Sequence, residues 1–220
     1  MRYEQNKTTD LIEMGDVLNY NQKINEDDKT FEKLMFIYKM AIKEINTKIE
    51  IMQEQFKFLY NYNLIDHIDF RIKSPKSILK KMEDKKCDLT YKDMINNIND
   101  IAGIRVVCPL KKDIYSVKNL IQRLPGIETI KEKDYIKIPK ESGYSAYHLI
   151  LCVPVMLTQK IIYVKVEVQI KTIAMDFWSN LEHKMRYKPQ EQPSKQISKE
   201  LQNCAKVINK LDDRIMSINE

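Results

Sequence analysis

The sequence predicts an α+β fold, a mixed β-sheet flanked by helices, and three observations support this prediction. Two apolar, β-branched runs at 146–157 and 160–170 are separated by only two residues, which predicts an antiparallel pair of strands. The segment IAGIRVVCPL at 101–110 predicts a further buried strand. Apolar residues at spacings of three and four near both ends of the chain predict the flanking helices.

The first predicted element is a long amphipathic helix over 29–60. Its apolar residues recur at three and four, as in one face of a helix. They are Phe31, Leu34, Met35, Tyr38, Ile42, Ile45, Ile49, Met52, Phe56 and Tyr60. The residues before it, 1–28, are expected to form a partly ordered N-terminal segment or a short extra helix.

A strand followed directly by a helix is predicted next. The segment IDFRIK at 68–73 alternates in polarity, as a strand does, and SPKSILKKMED then begins a helix. Ser74 is its expected N-cap and Pro75 its first residue. A strand that leads basic residues towards a helix N-terminus is a candidate phosphate site.

Further helices are predicted around 113–122 and over 173–187, and the two prolines of KPQEQPS separate the latter from a last helix. The apolar stripe of that last helix contains Ile197, Leu201, Cys204, Ile208, Leu211, Ile215 and Ile218. Such a stripe packs on its own domain or pairs with another subunit. We expect one domain over 29–188 and an oligomerisation helix within 189–220.

Composition limits the class of protein. A chain of 220 residues with 43% hydrophobic residues can bury one sizeable core. No apolar run reaches the roughly 18 residues of a membrane span, and the start MRYEQNKTTD lacks a signal-peptide apolar region, so we expect a cytoplasmic protein without a membrane partner. The formal charge of +6 suits a protein that handles polyanions without requiring nucleic acid. The cysteines have no metal-binding spacing and are expected to be reduced: Cys87, Cys108, Cys152 and Cys204.

The most informative segment is KDYIKIPKESGYSAYH, residues 133–148. It arranges four basic residues around Gly143 and Tyr144. These four are Lys133, Lys137, Lys140 and His148. Cations bind phosphates and a tyrosine ring stacks on a base, so the segment is typical of a loop that binds a phosphorylated aromatic base.

Two carboxylates on predicted strands are candidates for metal binding. Asp100 precedes one apolar strand and Glu167 lies within another, and carboxylates on neighbouring strands can hold Mg²⁺ between them. The alternative is a helix-terminal Asp and a Glu in an internal ion pair, and spacing alone leaves both open. Alternation places Glu167 and Gln169 on one polar face of their strand. Lys111 and Lys112 are assigned to a solvated helix face.

Four segments in order resemble the synthetase domain of RelA/SpoT alarmone enzymes. They are RIKSPKSILKKM, DIAGIRVVC, KDYIKIPKESGYSAYH and VEVQIKTIAMDFWSNLEHKMRYK, and they cover about residues 68–188. The resemblance, with only short flanking helices, is to a small alarmone synthetase, and it implies a nucleotidyltransferase-like sheet and a homotetramer. The family's hydrolase needs an HD pair, and none of His67, His148 or His183 is followed by Asp, so hydrolysis of the product is not expected.

The resemblance implies transfer of pyrophosphate from ATP to the 3′-hydroxyl of GTP or GDP, with GMP left open as an acceptor, and release of AMP. On the ATP side it implies that Arg71 and Arg105 sandwich the adenine and that Lys73, Ser77 and Lys81 hold the phosphates. It implies Mg²⁺ on Asp100, and it makes Glu167 the base for the hydroxyl proton or a second metal ligand. On the acceptor side it implies stacking by Tyr144, phosphate and ribose contacts by Lys133, Lys140 and His148, and support from Gln169.

Two rival functions remain open on the residues. One is a degenerate synthetase fold that binds guanine nucleotides or single-stranded RNA, and the other is an enzyme that transfers a nucleotide. Asp100 and Glu167 argue against a pure binder, because carboxylates repel a phosphorylated ligand unless a metal intervenes. The loop also departs from relatives that read GYRSYH, since GYSAYH lacks their cation.

Overall fold

A computed structural model of the chain describes residues 22–25, 29–158, 160–186 and 195–218. Within these ranges the elements are α1 (Lys29–Tyr60), β1 (His67–Ile72), α2 (Pro75–Asp84), α3 (Tyr91–Asn97), β2 (Ala102–Cys108), α4 (Lys111–Ile121), β3 (Glu128–Asp134), β4 (Tyr147–Met156), β5 (Ile161–Thr172), α5 (Ile173–Arg186) and α6 (Lys195–Ile218). The predicted N-terminal segment, 1–28, lies almost wholly outside the described residues. None of the helices in the described ranges is long and apolar enough to cross a membrane.

The five strands form one mixed sheet in the order β1-β2-β5-β4-β3. The central pair β2 and β5 is parallel, and the other neighbouring pairs are antiparallel. The predicted antiparallel pair at 146–157 and 160–170 is confirmed as β4 and β5, and the mixed sheet itself is confirmed. The parallel contact requires the long connection from β2 to β5, which contains α4 and the β3–β4 hairpin.

The sheet has one apolar and one polar face at its centre. Val164, Val166 and Val168 of β5 are fully buried in the main core, whereas Glu167 and Gln169 point to the opposite side. The alternation expected from the sequence is therefore confirmed. Helix α1 packs against β1, β2, β4 and β5, which leaves the polar face available for a site.

Helix α1 has the predicted bounds, and its apolar stripe forms a large part of the core. Leu34, Ile45 and Ile49 are fully buried. Removing such a side chain down to alanine costs about 2–5 kcal/mol, because a cavity is left behind. Helix α2 also begins as expected: the Ser74 side chain accepts a hydrogen bond from the Ser77 amide, and Pro75 stands in the first turn.

Three sequence expectations need correction or extension. The short helix α3 and the charged strand β3 (ETIKEKD) were not expected. Strand β3 has no apolar alternation, because it is an edge strand with mostly exposed side chains. Lys111 is not solvated: its ammonium donates to Asp213 Oδ1 at 2.7 Å and to the Asn209 carbonyl at 3.2 Å, both on α6. Strand β5 continues to Thr172, which brings Lys171 into the sheet.

Candidate active site

Strand pairing assembles the polar face of the sheet into two rows. One row crosses β1, β2 and β5 through Arg71, Gly103 and Glu167. The next row crosses β2, β5, β4 and β3 through Arg105, Gln169, His148 and Lys133. Residues as far apart in the chain as Arg71 and Glu167 therefore lie in one row, because the register of the five strands is fixed.

Asp100 precedes β2 and binds two lysines. The ammonium groups of Lys73, just after β1, and Lys81, on α2, each donate to Asp100 Oδ2 at 2.8 Å. Burial alone would raise the pKa of Asp100, but the two hydrogen-bonded cations outweigh it and hold that pKa below its ordinary value. Asp100 is therefore an anion at neutral pH, and its other oxygen, Oδ1, is buried without a hydrogen-bond partner among the described residues.

Glu167, His148 and Tyr144 form a chain of polar contacts. His148 Nδ1 lies 3.3 Å from Glu167 Oε1, and His148 Nε2 lies 2.8 Å from the Tyr144 hydroxyl. The histidine can donate through Nδ1–H to the carboxylate while Nε2 pairs with the hydroxyl, so a single ring bridges Glu167 and Tyr144. Gln169 Nε2 donates to Glu167 Oε2 at 2.8 Å, so both carboxylate oxygens have a donor.

The environment of Glu167 keeps it ionised. Burial would raise its pKa, but the hydrogen bond and charge of His148 and the hydrogen bond from Gln169 lower it below the ordinary glutamate value. The negative charge of Asp100 opposes this change, which indicates that the two carboxylates are close enough to interact. A partly buried, ionised carboxylate can accept a proton from a bound hydroxyl.

Arg105 connects the sheet to α5. Its Nη1 lies 3.2 Å from Asp176 Oδ1 and donates to Asn180 Oδ1 at 3.2 Å, while Asp69 Oδ2 is 4.0 Å away. Arg71 lies on the same face, beside Gly103. A Cβ built at Gly103 would lie 3.7 Å from Arg71 Cγ, an ordinary van der Waals distance, which shows that the arginine side chain lies against the sheet at this position.

Residues 140–144, named here the acceptor loop after the role expected from the sequence, form a tight turn beside the sheet. The Gly143 amide donates to the Lys140 carbonyl at 2.8 Å and the Lys140 amide donates to the Tyr144 carbonyl at 3.0 Å. Gly143 has φ of +92°, a conformation that side chains disfavour. The Lys140 ammonium lies 4.8 Å from the ring centres of both Tyr135 and Tyr144, so a cation and an aromatic ring are presented together.

Lys171 lies under the same tyrosine from the sheet side. It is 2% exposed, its ammonium donates to Ser179 Oγ at 2.9 Å, and it lies 5.0 Å from the centre of the Tyr144 ring. Burial, assisted by the nearby charge of Arg105, lowers the pKa of Lys171 to about 8. The nearest acid is Asp176, whose Oδ1 is 3.9 Å away.

These side chains line an open cavity of about 470 Å³. Of the residues predicted from the sequence it brings together Arg71, Lys81, Asp100, Arg105, Lys140, Tyr144, His148, Glu167 and Gln169. A smaller adjoining cavity of about 200 Å³ lies between Arg71, Gly103 and Arg105 and also reaches Glu167. The two cavities share the lining residues Arg71, Arg105, Glu167 and Gln169.

Three predicted site residues do not line the larger cavity. Lys73 reaches it only through Asp100. Ser77 is exposed in the first turn of α2, with its hydroxyl 2.8 Å from that of Ser74. Lys133 is exposed on β3, and its ammonium lies 5.7 Å from the Tyr135 ring centre. Each remains a prediction as a nucleotide contact.

Sequence reasoning missed the contribution of α5 and of Lys171. The helix adds a polar stripe to the cavity, and its members that line the wall are Ser179, Asn180, Glu182 and His183. Ser179 and Asn180 follow Asp176 at three and four residues, and Glu182 and His183 follow Ser179 in the same way, which is the signal that could have found them because such spacing puts residues near one helix face. Lys171 was missed because the predicted strand ended one residue too early.

The donor set fits a divalent cation only in part. Asp100 Oδ1 is a buried carboxylate oxygen with no hydrogen-bond partner in the part of the chain that the structure describes, which suits a hard cation. Among the described residues there is no group of three or more His, Cys, Asp or Glu side chains that could hold a metal. Any Mg²⁺ here would therefore need phosphate oxygens and water to complete its shell, as is usual for Mg²⁺ with nucleotides.

Comparison with known proteins gives concordant matches. The family model described as "Region found in RelA / SpoT proteins" matches residues 70–192. The GTP pyrophosphokinase YwaC of Bacillus subtilis is 40% identical over 186 residues, which are 84% of this chain and 89% of that protein.

Two solved structures of small alarmone synthetase 1 from Bacillus subtilis share the fold. The one bound to its product pppGpp is 30% identical, with a TM-score of 0.81 over 87% of this chain and 97% of that one. The one bound to AMPCPP is 28% identical, with a TM-score of 0.75 over 87% and 97%.

Proposed function

Because the chain belongs to the RelA/SpoT family, we propose that it is a (p)ppGpp synthetase that transfers pyrophosphate from ATP to the 3′-hydroxyl of GTP or GDP. The observation that carries the proposal is Glu167, an ionised and partly buried carboxylate that lines two adjoining cavities together with Arg71 and Arg105. Relatives named GTP pyrophosphokinase and the pppGpp-bound synthetase support the same activity.

The donor nucleotide is assigned to the side of the sheet that carries β1, β2 and α2. The cavity of about 200 Å³ between Arg71 and Arg105 suits a planar base, because guanidinium groups stack on aromatic rings. Lys73 and Lys81 converge on Asp100 from two elements and are proposed to take the phosphates of ATP, with Ser77 at the helix N-terminus beside them.

The acceptor nucleotide is assigned to the other side, next to the acceptor loop. Tyr144 supplies a ring for guanine, and His148 and Gln169 lie between that ring and Glu167. Lys140 and Lys171 each place an ammonium within 5.0 Å of the ring centre. These two lysines provide cations on the acceptor side. Ser145 provides none, because it is a neutral, buried side chain whose hydroxyl donates to the Tyr135 carbonyl. Lys133 on β3 is proposed to add a further cation to this side.

The proposed reaction needs position and charge neutralisation rather than a covalent intermediate. The 3′-oxygen of the acceptor bonds to the β-phosphorus of ATP, and the bond from that phosphorus to the α-phosphate oxygen breaks. Glu167 takes the hydroxyl proton, and AMP leaves with the electron pair. His148 and Gln169 hold the carboxylate oriented towards the hydroxyl.

Mg²⁺ is the proposed metal, with Asp100 as its ligand and Glu167 as a second carboxylate within reach. When bound, the ion would neutralise charge on the transferred phosphates. Asp100 Oδ1 is the available oxygen, since both lysines use Oδ2.

A homo-oligomer, with a tetramer as the expected state, is proposed on exposed apolar surface. Phe36 and Ile51 of α1 and Met156 of β4 are 52%, 61% and 77% exposed and line one groove. The C-terminal half of α6 exposes Leu211, Ile215 and Ile218 as well. Contiguous apolar surface of this kind marks interaction sites.

The test is a label-transfer assay. The protein is incubated with Mg²⁺, GTP and ATP labelled at the γ-phosphate, and the nucleotides are then separated. We expect label on guanosine together with AMP, and no transfer when Mg²⁺ is chelated. Glu167→Gln should lower kcat about a hundredfold or more while ATP still binds, because the proton acceptor is lost.

Glu54→Gln, an exposed carboxylate on α1, makes the same chemical change away from the site and should keep full activity. Full activity in Glu167→Gln would refute the assigned role. Release of pyrophosphate instead of AMP would indicate nucleotide transfer. Tight binding of guanine nucleotide or single-stranded RNA without any transfer would favour a binding protein.

A further inference from the structure

The N-terminal half of α6 packs directly on the acceptor loop. A Cβ built on Gly143 would lie 2.5 Å from Ala205 Cβ, a distance at which one of the two groups must move. Gln202 Nε2, one turn earlier on the helix, donates to the Glu141 carbonyl at 2.7 Å. The loop therefore has a steric contact and a hydrogen bond to a helix that lies beyond residue 192, where the matched family region ends.

A small buried cluster joins the helix, the loop and α5. Trp178 of α5 is 2% exposed, and its indole donates to the Leu201 carbonyl at 3.0 Å. Leu201 and Ala205 pack against Trp178, and Tyr144 packs against this cluster from the loop. The side of Tyr144 that faces α6 is thus supported by apolar contacts.

The other half of α6 is fixed to the end of β5 and to α4. Thr172, at the end of β5, donates through Oγ1 to Asp212 Oδ2 at 2.6 Å. Lys111, at the start of α4, donates to the Asn209 carbonyl and to Asp213. A helix anchored to the strand that carries Glu167 can hold the acceptor loop at a fixed distance from that carboxylate.

We propose that α6 is a positioning element for the acceptor nucleotide, in which Ala205 and Gln202 fix the acceptor loop and the orientation of the Tyr144 ring. The small side chain at 205 sets how closely loop and helix approach, and the amide at 202 sets the register between them. This role rests on the proposed function, because it assigns the loop to the guanosine nucleotide. It adds to the expected oligomerisation role, which uses exposed residues further along the helix.

The first test measures the loop without any nucleotide. Hydrogen exchange of residues 140–145 is compared between the wild type, Ala205→Val and Gln202→Met. The controls are Cys204→Val and Asn203→Met, which put the same side chains on exposed neighbouring positions of the helix. We expect faster exchange in the two test variants and wild-type exchange in both controls, because only the former disturb the contact.

The second test measures steady-state kinetics with the acceptor and with ATP varied separately. The KM for the guanosine nucleotide should rise about tenfold or more in Ala205→Val, since small displacements of a substrate-holding group have effects of this size. The KM for ATP should stay within about twofold, a split that general loss of structure would not give. Gln202→Lys, which keeps a donor, should restore the acceptor KM lost in Gln202→Met.

Trp178 gives a readout that is independent of catalysis. It is the single tryptophan of the chain and lies in the cluster between loop and helix. Its fluorescence should change when GDP binds, and the GDP titration of Ala205→Val should shift to higher concentration by the same factor as the KM.

The outcomes separate the two proposals. If the test variants match their controls in loop exchange and in acceptor KM, the positioning role is wrong. If the wild type transfers no pyrophosphate but the loop exchange still differs, the proposed function fails and the contact stands. If the melting temperature shows that Ala205→Val does not fold, the comparison of Gln202→Met with Gln202→Lys tests the positioning role instead.

Discussion

Replacing Lys171 by methionine should stabilise the protein while it impairs the reaction. The ammonium is 2% exposed, and burial lowers its pKa from 10.5 to about 8. The two pKa values differ by about 2.5, and each tenfold change in the protonation equilibrium corresponds to about 1.4 kcal/mol. Keeping the lysine charged therefore lowers the free energy of unfolding by about 3 kcal/mol at pH 7. Methionine keeps the apolar stem and removes the charge.

The expected gain is smaller than this cost. The variant loses the hydrogen bond to Ser179, worth about 1 kcal/mol. Asp176 loses a distant cation but keeps Arg105 at 3.2 Å and the Asn180 amide at 2.8 Å. We therefore expect Lys171→Met to be more stable by about 1–2 kcal/mol at pH 7, with kcat/KM for the acceptor lowered about tenfold or more because a cation beside Tyr144 is gone.

The sign of the pH dependence makes the test specific. Between about pH 8 and 10.5 the unfolded lysine holds a proton that the folded one has released, so the wild type gains stability as the pH rises. About 2 kcal/mol of the penalty should disappear between pH 7 and pH 9.5. Lys171→Met lacks this gain, so its advantage over the wild type should shrink by that amount.

Urea unfolding of both proteins at pH 7 and pH 9.5, with EDTA and without nucleotide, measures the difference. Other groups, such as Cys108 whose pKa is raised by burial, titrate in both proteins and cancel. Lys133→Met, which removes an exposed lysine of β3, controls for net charge. An advantage of Lys171→Met that is equal at the two pH values would refute the reasoning.

Two further predictions concern the acceptor ring and the assembly. Tyr144→Ala should raise the KM for the guanosine nucleotide by about tenfold to a hundredfold, because base stacking is worth about 1–3 kcal/mol. Tyr144→Phe should have a smaller effect, since it keeps the ring and loses only the contacts to His148 and Gln169; equal losses in both variants would contradict stacking. Ile51→Lys should lower the oligomeric state measured by sedimentation, whereas Gln55→Lys, an exposed polar position of the same helix, should not. An unchanged assembly in Ile51→Lys would exclude this groove as the interface.

Much of the fold could be predicted because its elements have strong local patterns. Helix α1, the N-cap Ser74 and the β4–β5 pair each follow from apolar periodicity or from turn chemistry within a few residues. Strand β3 has no such pattern, because an edge strand buries little and its charged side chains point to solvent. Its place is fixed by pairing with β4, which is a tertiary contact.

The candidate site was predictable where a residue breaks a local pattern. Arg105 in an apolar strand and Glu167 in a valine-rich strand both stand out from their neighbours. Lys171 does not, since a lysine at the apparent end of a strand is ordinary, and its burial involves tertiary contacts with Ser179 of α5 and with the Tyr144 ring. The contact of Ala205 with Gly143 involves two small residues 62 positions apart, and no local signal marks such a pair.

The cations of the site are held by internal acids before any nucleotide binds. Lys73 and Lys81 contact Asp100, and Arg105 contacts Asp176. Under the proposed function the phosphates of ATP must take the lysines away from Asp100, which would leave a buried carboxylate without its cations. Such a charge is costly in a buried site, and a divalent ion bound with the phosphates would compensate it at Oδ1, the oxygen that the two lysines do not contact. Under the proposed function, tight binding of ATP should therefore depend on the metal, and the contacts with Asp100 should hold the lysines in position before the substrate arrives, which reduces the entropy lost on binding.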